Sequence, residues 1–379
     1  MTGSADQGME WARVRDGVIT AHAPGKLFIA GEYAVVEPGY PAVVVAVDRC
    51  ASVTVRQGET GDGVVLRSDL HGGIALRCTR KAHRLVPADG GDWRDSHFAA
   101  VLAAARVVER LAVEQGRSPM SLRLSVISRH LAAGDGRKFG LGSSAAVTVA
   151  TVTAVSTCYG LNLSDMDRYR LAMLATIALN PNASGGDIAA STWGGWLAYQ
   201  TPDRQQISDL LTRHGVSATV RSEWPRLRVR PLTTPRGLRL CVGWTGEPVS
   251  TTTMVTRARN TDWRKGRCYN DFLAASSSSV QLLIDAIEAG DIAAVQHQIR
   301  YSRRVLTALD TATGLGIMTP QLETLCTIAE SVGAAAKPSG AGGGDCGIAI
   351  LPHTPTHTHT DLNDSWTRAG IQPLPLHVQ

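Results

Sequence analysis

The segment GLGSSAA at residues 140–146 carries residue types that bind phosphate. Two glycines let the backbone come close to a ligand, and the apolar run that follows predicts a helix. The helix points its first N–H groups at the loop, and its dipole adds about half a positive charge there. Ser143 and Ser144 add hydroxyls within reach of a phosphate oxygen or a magnesium ion. Judged on this segment alone, a Gly-Ser loop that only caps a buried helix stays open as the alternative.

Three more segments invite the same question. In APGKLFIAGEYAVV at 23–36, Pro24-Gly25 predicts a turn after a strand, with Lys26 at its exit before an apolar run. An ammonium fixed there would neutralise charge on a phosphoryl group in transfer. In AAAKPSGAGGGDCGIAI at 334–350, five glycines fall between Gly340 and Gly347. That is more than a strand-to-strand turn needs, so the backbone must pass close to a ligand or to another loop. In NASGGDIAAS at 182–191, Asp187 follows two glycines and opens a short helix, where a plain N-cap is the alternative.

Lysine is scarce. Only Lys26, Lys81, Lys138, Lys265 and Lys337 occur among 38 basic residues, and three of the five lie in or beside glycine-rich segments. A lysine kept in an arginine-rich chain suggests a need for a compact ammonium, although codon preference explains the arginine excess more simply.

Other chemistries are disfavoured. No GxxxxGK[ST] is present, which excludes a Walker A loop. Eleven residues separate the strand at 122–128 from Gly140, too long for a Rossmann turn, and no acid follows at the required distance. The seven cysteines are scattered without a CxxC pair and read as reduced thiols. HTPTHTHT at 353–360 has no zinc spacing and reads as a polar linker. A net charge of +5 without basic runs does not point to nucleic acid. The N-terminus has no apolar signal core, residues 1–16 read as a polar leader, and no run predicts a membrane span. The chain is expected to be cytoplasmic.

These segments need elements to hold them. With 379 residues, 44% of them hydrophobic, the chain has enough apolar surface for two domains. Strands are expected at 17–23, 41–48, 51–57, 63–68, 73–78, 122–128 and 238–244, rich in Val, Ile and Thr. Helices are expected near 95–115, 143–160, 164–180, 249–260, 270–289, 291–309 and 319–333. The 143–160 helix is apolar nearly all round and should be buried. Residues 201–237 are polar and proline-punctuated, so the boundary is placed there. The expected domains are 1–205 and 206–379, in an α+β architecture.

Taken in order, PGKL…GEYAV, GLGSSAA and KPSGAGGGD resemble the three motifs of the GHMP kinases. GKLFIAGEYAVVEPGYPAVV, KFGLGSSAA and GWTGEPVSTTTMV at 243–255 are similar to the bacterial-type phosphomevalonate kinase group. SGGD at 184–187 is similar to that group's aspartate site, with its spacing slightly shifted. The resemblance implies a two-domain fold, a ribosomal protein S5 domain 2-like N-terminal domain and a ferredoxin-like C-terminal domain. It implies ATP and Mg2+, a small phosphorylated acceptor, a monomer or homodimer, and no nucleic-acid or membrane partner. Carried over by residue, Lys26 and Asp187 are the catalytic pair, with Asp187 orienting Lys26. Lys138, Gly140, Leu141, Gly142, Ser143, Ser144 and Ala145 hold the nucleotide, with Ser144 near the metal. Lys26, Tyr33, Ser250, Thr251, Thr252, Ser339, Gly340, Ala341 and Gly342 face the acceptor. The mevalonate kinase pattern carries a magnesium-binding Glu after the second motif, and residues 145–185 hold no Glu. An alcohol kinase of the same family and a non-catalytic ligand-binding homologue remain the rival readings.

Overall fold

The strand Pro41–Gln57 shows how one sheet serves two environments. Its first half, Ala42–Val47, is buried without a break, as a strand covered on both faces must be. Its second half alternates, with Ala51, Val53 and Val55 buried and their neighbours less so. The computed structural model describes residues 11–59, 61, 63–69, 75–82, 84–94, 96–234, 236–247, 251–259, 262–352 and 356–379.

In chain order the first part comprises β1 (Ala12–Arg15), β2 (Val18–Ala30), β3 (Pro41–Gln57), β4 (Val64–Ser68), β5 (Ala75–Lys81), β6 (Arg84–Pro87), α1 (Ala99–Glu114), β7 (Leu122–Ile127), α2 (Ser143–Cys158), α3 (Asp165–Leu179), α4 (Gly186–Trp193), β8 (Trp196–Gln200), α5 (Arg204–Arg221) and β9 (Arg228–Leu232). Its sheet runs β1-β2-β3-β7-β4-β5-β6, and β8 pairs with the first half of β3 and with β9. Only the β4–β7 pairing is parallel among the described strands.

The second part comprises β10 (Leu238–Trp244), α6 (Thr251–Arg259), α7 (Arg267–Ala289), α8 (Ile292–Thr313), α9 (Pro320–Ser331), β11 (Ala335–Pro338), β12 (Cys346–Pro352), α10 (Thr356–Arg368) and β13 (Gln372–Leu374). Its sheet is antiparallel, in the order β11-β12-β10-β13. Alternation along β12 splits its side chains between two cores. Cys346, Ile348 and Ile350 join the main core with α7 and α8, while Ala349 and Leu351 pack with Leu325 of α9 and Trp366 of α10. The main core runs continuously from the first sheet into the second.

Several expectations need correction. The stretch 201–237 is not all irregular: α5 and β9 lie there, and β9 pairs with β8. The first sheet therefore extends past the expected boundary at 205, to Leu232. Polar composition misled because α5 exposes one face and β9 is an edge strand; Gly215, at φ 78°, breaks α5 without ending it. The supposed leader contains β1, paired with β2, while residues 1–10 lie outside the described set. The histidine-rich stretch opens α10 from Thr356, with 353–355 outside the described residues.

The expected burial of α2 holds, since Ala145–Ser156 are all buried. Its threonines survive there by bonding back one turn, Thr148 to Ser144 O at 2.8 Å and Thr151 to Val147 O at 2.7 Å. A capping box at Ser164 and Asp167 opens α3.

Candidate active site

Lys26 lies inside β2, not after a turn. The strand continues through Pro24-Gly25, and a register break between those two residues absorbs the proline. The irregular stretch turns its backbone toward the next motif, with Lys26 N donating to Leu141 O at 2.8 Å. The side chain is buried, at 7% exposure, and its Nζ donates to Gly140 O at 3.1 Å. The ammonium also stands 5.5 Å from the centre of the Phe28 ring. An ammonium has three N–H donors, so the Gly140 contact leaves donors for a ligand.

The loop around this lysine needs its glycines. Gly140 and Gly142 adopt φ 78° and 74°, where other residues are strained. A Cβ on Gly142 would sit 3.1 Å from the Lys26 stem, and one on Gly140 would strike the Asp345 carboxyl at 2.5 Å. Gly142 caps α2 with no side-chain bond, and no acid occupies the first turn. The N-terminal N–H groups of α2 and its dipole therefore form an anion site beside Lys26. Ser144 is exposed and Ser143 half-buried, whereas Leu141 and Ala145 point into the core and anchor the loop. Lys138 is exposed on the arm before the loop, which closes on itself by the bridge Ala132–Lys138.

The third glycine segment is bolted to the first. Ser339 is buried, and its hydroxyl donates to Phe28 O and accepts from Phe28 N, both at 2.9 Å. The Tyr33 hydroxyl donates to Ala341 O at 2.5 Å. Burial, then the charges of Asp310 and Glu32, hold the Tyr33 phenol well above its ordinary pKa. Ser339 and Tyr33, expected to meet the acceptor, thus spend their hydroxyls on joining the two segments. Gly342 is required by the chain itself, because a Cβ there would lie 2.4 Å from Ile317 O. Gly340 is the residue of this segment placed toward Lys26: a Cβ on it would sit 4.0 Å from Nζ.

Asp187 stands in the first turn of α4, two residues past the N-cap Gly185. It is half-buried, and its Oδ1 accepts from Ile188 N at 3.0 Å. The loop before it is fixed by polar contacts. Tyr199 donates to Ser184 O at 2.5 Å and meets Tyr169 at 2.7 Å, while Thr201 donates to Ser184 O at 3.0 Å. Arg204 reaches Ala183 O at 3.3 Å and Val36 O at 2.6 Å. No ion pair joins Asp187 and Lys26 among the described residues, and the Gly140 carbonyl and the surface of Gly142 position the lysine.

Of the GWT segment, Ser250 lies outside the described residues, and Thr251 and Thr252 begin α6. What is described of the segment braces Asp345 and the arm that precedes Gly140. Thr245 N and Oγ1 both donate to Asp345 O, at 3.0 and 3.1 Å. Arg137 donates to Gly246 O at 2.5 Å, and its guanidinium covers the Trp244 ring at 5.1 Å. Phe139 meets Trp244 edge-on at 5.0 Å.

Reading by type and spacing gave no role to Glu32, Lys337, Asp345 or Arg137. Glu32 and Lys337 form a buried ion pair, and Gly340 N donates to the same Glu32 oxygen at 3.4 Å. The one available signal was the scarcity of lysine, which marked Lys337 without naming its partner. No group of three or more His, Cys, Asp or Glu able to hold a metal occurs among the described residues. The donor set, one exposed serine hydroxyl at a helix N-terminus, fits a metal that arrives on the nucleotide phosphates. No helix among the described residues is long and apolar enough to cross a membrane.

Comparison with known proteins agrees with this arrangement. Residues 99–195 match the GHMP kinases N terminal domain, and residues 283–357 match the GHMP kinases C terminal domain. The phosphomevalonate kinase of Streptomyces sp. (strain CL190) is 51% identical over 363 residues, 94% of this chain and 96% of that protein. The crystal structure of a Lin0012 protein from Listeria innocua superposes with a TM-score of 0.86 at 31% identity, covering 96% of this chain and 98% of the other. The Streptococcus pneumoniae phosphomevalonate kinase in complex with phosphomevalonate and AMPPNP superposes at 0.81 with 25% identity, covering 95% and 99%. The two sheets, the lysine at the meeting of three glycine segments and these likenesses lead to one conclusion: the chain belongs to the GHMP kinase family.

Proposed function

We propose that this chain transfers the γ-phosphoryl group of ATP to (R)-5-phosphomevalonate, giving ADP and 5-diphosphomevalonate, in the mevalonate route to isoprenoids. The observation that carries the reading is the 51% identity to the Streptomyces phosphomevalonate kinase across nearly the whole chain. The enzyme is taken to be cytoplasmic, to work as a monomer or homodimer, and to bind a small phosphorylated substrate with no nucleic-acid or membrane partner.

The acceptor shapes the mechanism. A phosphomonoester has a second pKa of about 6 and is largely dianionic at pH 7, so it needs no base to become a nucleophile. The harder task is bringing two polyanions together. Two unit charges 4 Å apart repel by about 4 kcal/mol at an effective dielectric near 20. Lys26 answers this with an ammonium held in place before substrate arrives, by Gly140 O and the surface of Gly142. The N-terminus of α2 adds N–H donors for the nucleotide phosphates. Mg2+ bound with ATP would be held by the phosphates and the Ser144 hydroxyl, and would neutralise phosphate charge. Asp187 orients the Lys26 ammonium through its charge and is not an obligatory base.

The test is ADP release across phosphomevalonate, mevalonate, homoserine and galactose. Release with phosphomevalonate alone is expected. Release with mevalonate and none with phosphomevalonate would give the site to an alcohol kinase, and release with none of the four would favour a ligand-binding homologue.

A further inference from the structure

Away from the glycine segments, a cavity of about 810 Å³ opens between β5, β6, α1 and α5. Five arginines and two glutamates line it. The glutamates are already engaged. Glu109 takes Arg80 through both carboxylate oxygens, at 3.0 and 2.5 Å, and accepts from Tyr159 at 3.0 Å. Glu114 takes Arg110 at 3.0 Å and the N–H groups of Val216 and Ser217 at 3.1 and 2.6 Å.

That leaves Arg84, Arg94 and Arg106 on the lining, together with Trp93. Arg106 and Arg94 lie against the Trp93 ring, at 4.5 and 4.8 Å. Asp92 reaches Arg94 only at 4.0 Å, between exposed side chains, and so balances little of this charge. Arg106 Nη1 is buried with no hydrogen-bond partner among the described residues. Burial, and the charges of Arg84 and Arg94, hold the Arg106 guanidinium below its usual pKa. A buried donor without an acceptor and three gathered like charges both raise the energy of the empty cavity. Neither strengthens the fold, and an anion would relieve both. The rest of the wall is apolar, including Leu85, Val107, Val113, Pro119 and Leu211.

We propose that this cavity is a second binding site, for a phosphate ester of an aliphatic alcohol. The headgroup meets Arg84, Arg94 and Arg106, whose planar guanidinium groups suit phosphate oxygens. The hydrocarbon covers the wall formed by Leu85, Val107 and Leu211.

The experiment is calorimetric titration of the full chain with hexyl phosphate, repeated with inorganic phosphate and with the Arg106→Gln, Arg84→Gln and Lys26→Met variants. A saturable site is expected that is weakened roughly ten-fold or more by each arginine change and unaltered by Lys26→Met, apart from any binding at the glycine segments. Inorganic phosphate should bind more weakly than hexyl phosphate. Arg84 is exposed, so Arg84→Gln keeps the test intact should Arg106→Gln fail to fold. The proposal is overturned by no saturable binding, by binding that Lys26→Met removes while the arginine variants keep it, or by inorganic phosphate binding as tightly as the ester.

Discussion

Lys337 and Glu32 form an ion pair that water does not reach, at 0% and 4% exposure. Lys337 belongs to β11 of the second sheet, and Glu32 follows β2 of the first. Lys337 Nζ also donates to Pro338 O at 2.6 Å, and Glu32 also receives Gly340 N. The pair therefore fixes the third glycine loop relative to the strand that carries Lys26. Removing one partner leaves the other charged and dry, which costs about 3–5 kcal/mol. Lys337→Met should lose stability on that scale in denaturant unfolding. The double variant Glu32→Gln/Lys337→Met should be more stable than Lys337→Met alone. A Lys337→Met variant within 1 kcal/mol of the parent, on the order of a surface substitution, would mean the pair does not hold the loop.

The contact between Gly142 and the Lys26 stem predicts a specific kinetic defect. Gly142→Ala places a methyl 3.1 Å from that stem, at φ 74°. The strain is worth about 1–3 kcal/mol, and the lysine must shift. Steady-state kinetics should show kcat reduced more than either KM. Gly140→Ala meets the Asp345 carboxyl and should weaken nucleotide binding as well. Unchanged kcat in Gly142→Ala would separate the lysine from the chemistry.

Tyr33→Phe tests whether that hydroxyl binds substrate or braces the loop. The change removes the bond to Ala341 O and leaves a carbonyl without its donor. The expected cost is about 1–3 kcal/mol of stability in thermal or denaturant unfolding, with a small change in acceptor KM. A large rise in acceptor KM with no loss of stability would assign Tyr33 to the substrate.

The thiols should report the fold. Burial pushes Cys78 and Cys241 up to about 11, and it raises Cys50, Cys158, Cys326 and Cys346 as well. Cys268 is exposed. A native titration with an aromatic disulfide reagent near pH 8 should find one fast thiol, abolished by Cys268→Ser. Two or more fast thiols would contradict this packing.

The central strands and helices and the four glycine segments were legible because their signals are local. Period-two apolar runs, caps and glycine clusters are written into neighbouring residues. What escaped was long-range. Glu32 and Lys337 lie 305 residues apart, and nothing near either names the other. The family resemblance puts Ser339 and Tyr33 beside the acceptor. Which way a hydroxyl points depends on the opposite strand, here Phe28 O and Ala341 O. Pro24-Gly25 reads as a turn in isolation, and only the pairing with β3 and Leu141 O keeps the strand going. The polar stretch at 201–237 hid α5 and β9 because an edge strand shows little apolar alternation.

The mechanism makes a claim about pH. If the acceptor is its own nucleophile, the acid limb of kcat/KM belongs to the substrate, with an apparent pKa of about 6. The dianion reacts, so activity is lost as pH falls through that value. Asp187→Asn should keep this limb and keep more of kcat than Lys26→Met does. Loss of the acid limb in Asp187→Asn would make the aspartate the titrating base.

The most direct measurement is phosphorus NMR of the product. With ATP, Mg2+ and phosphomevalonate, the monoester signal should disappear as two coupled diphosphate signals grow in step with ADP, and mevalonate should yield no phosphorus product. A new monoester signal formed from mevalonate, with phosphomevalonate left unconsumed, would contradict the assignment of a phosphate acceptor to this site.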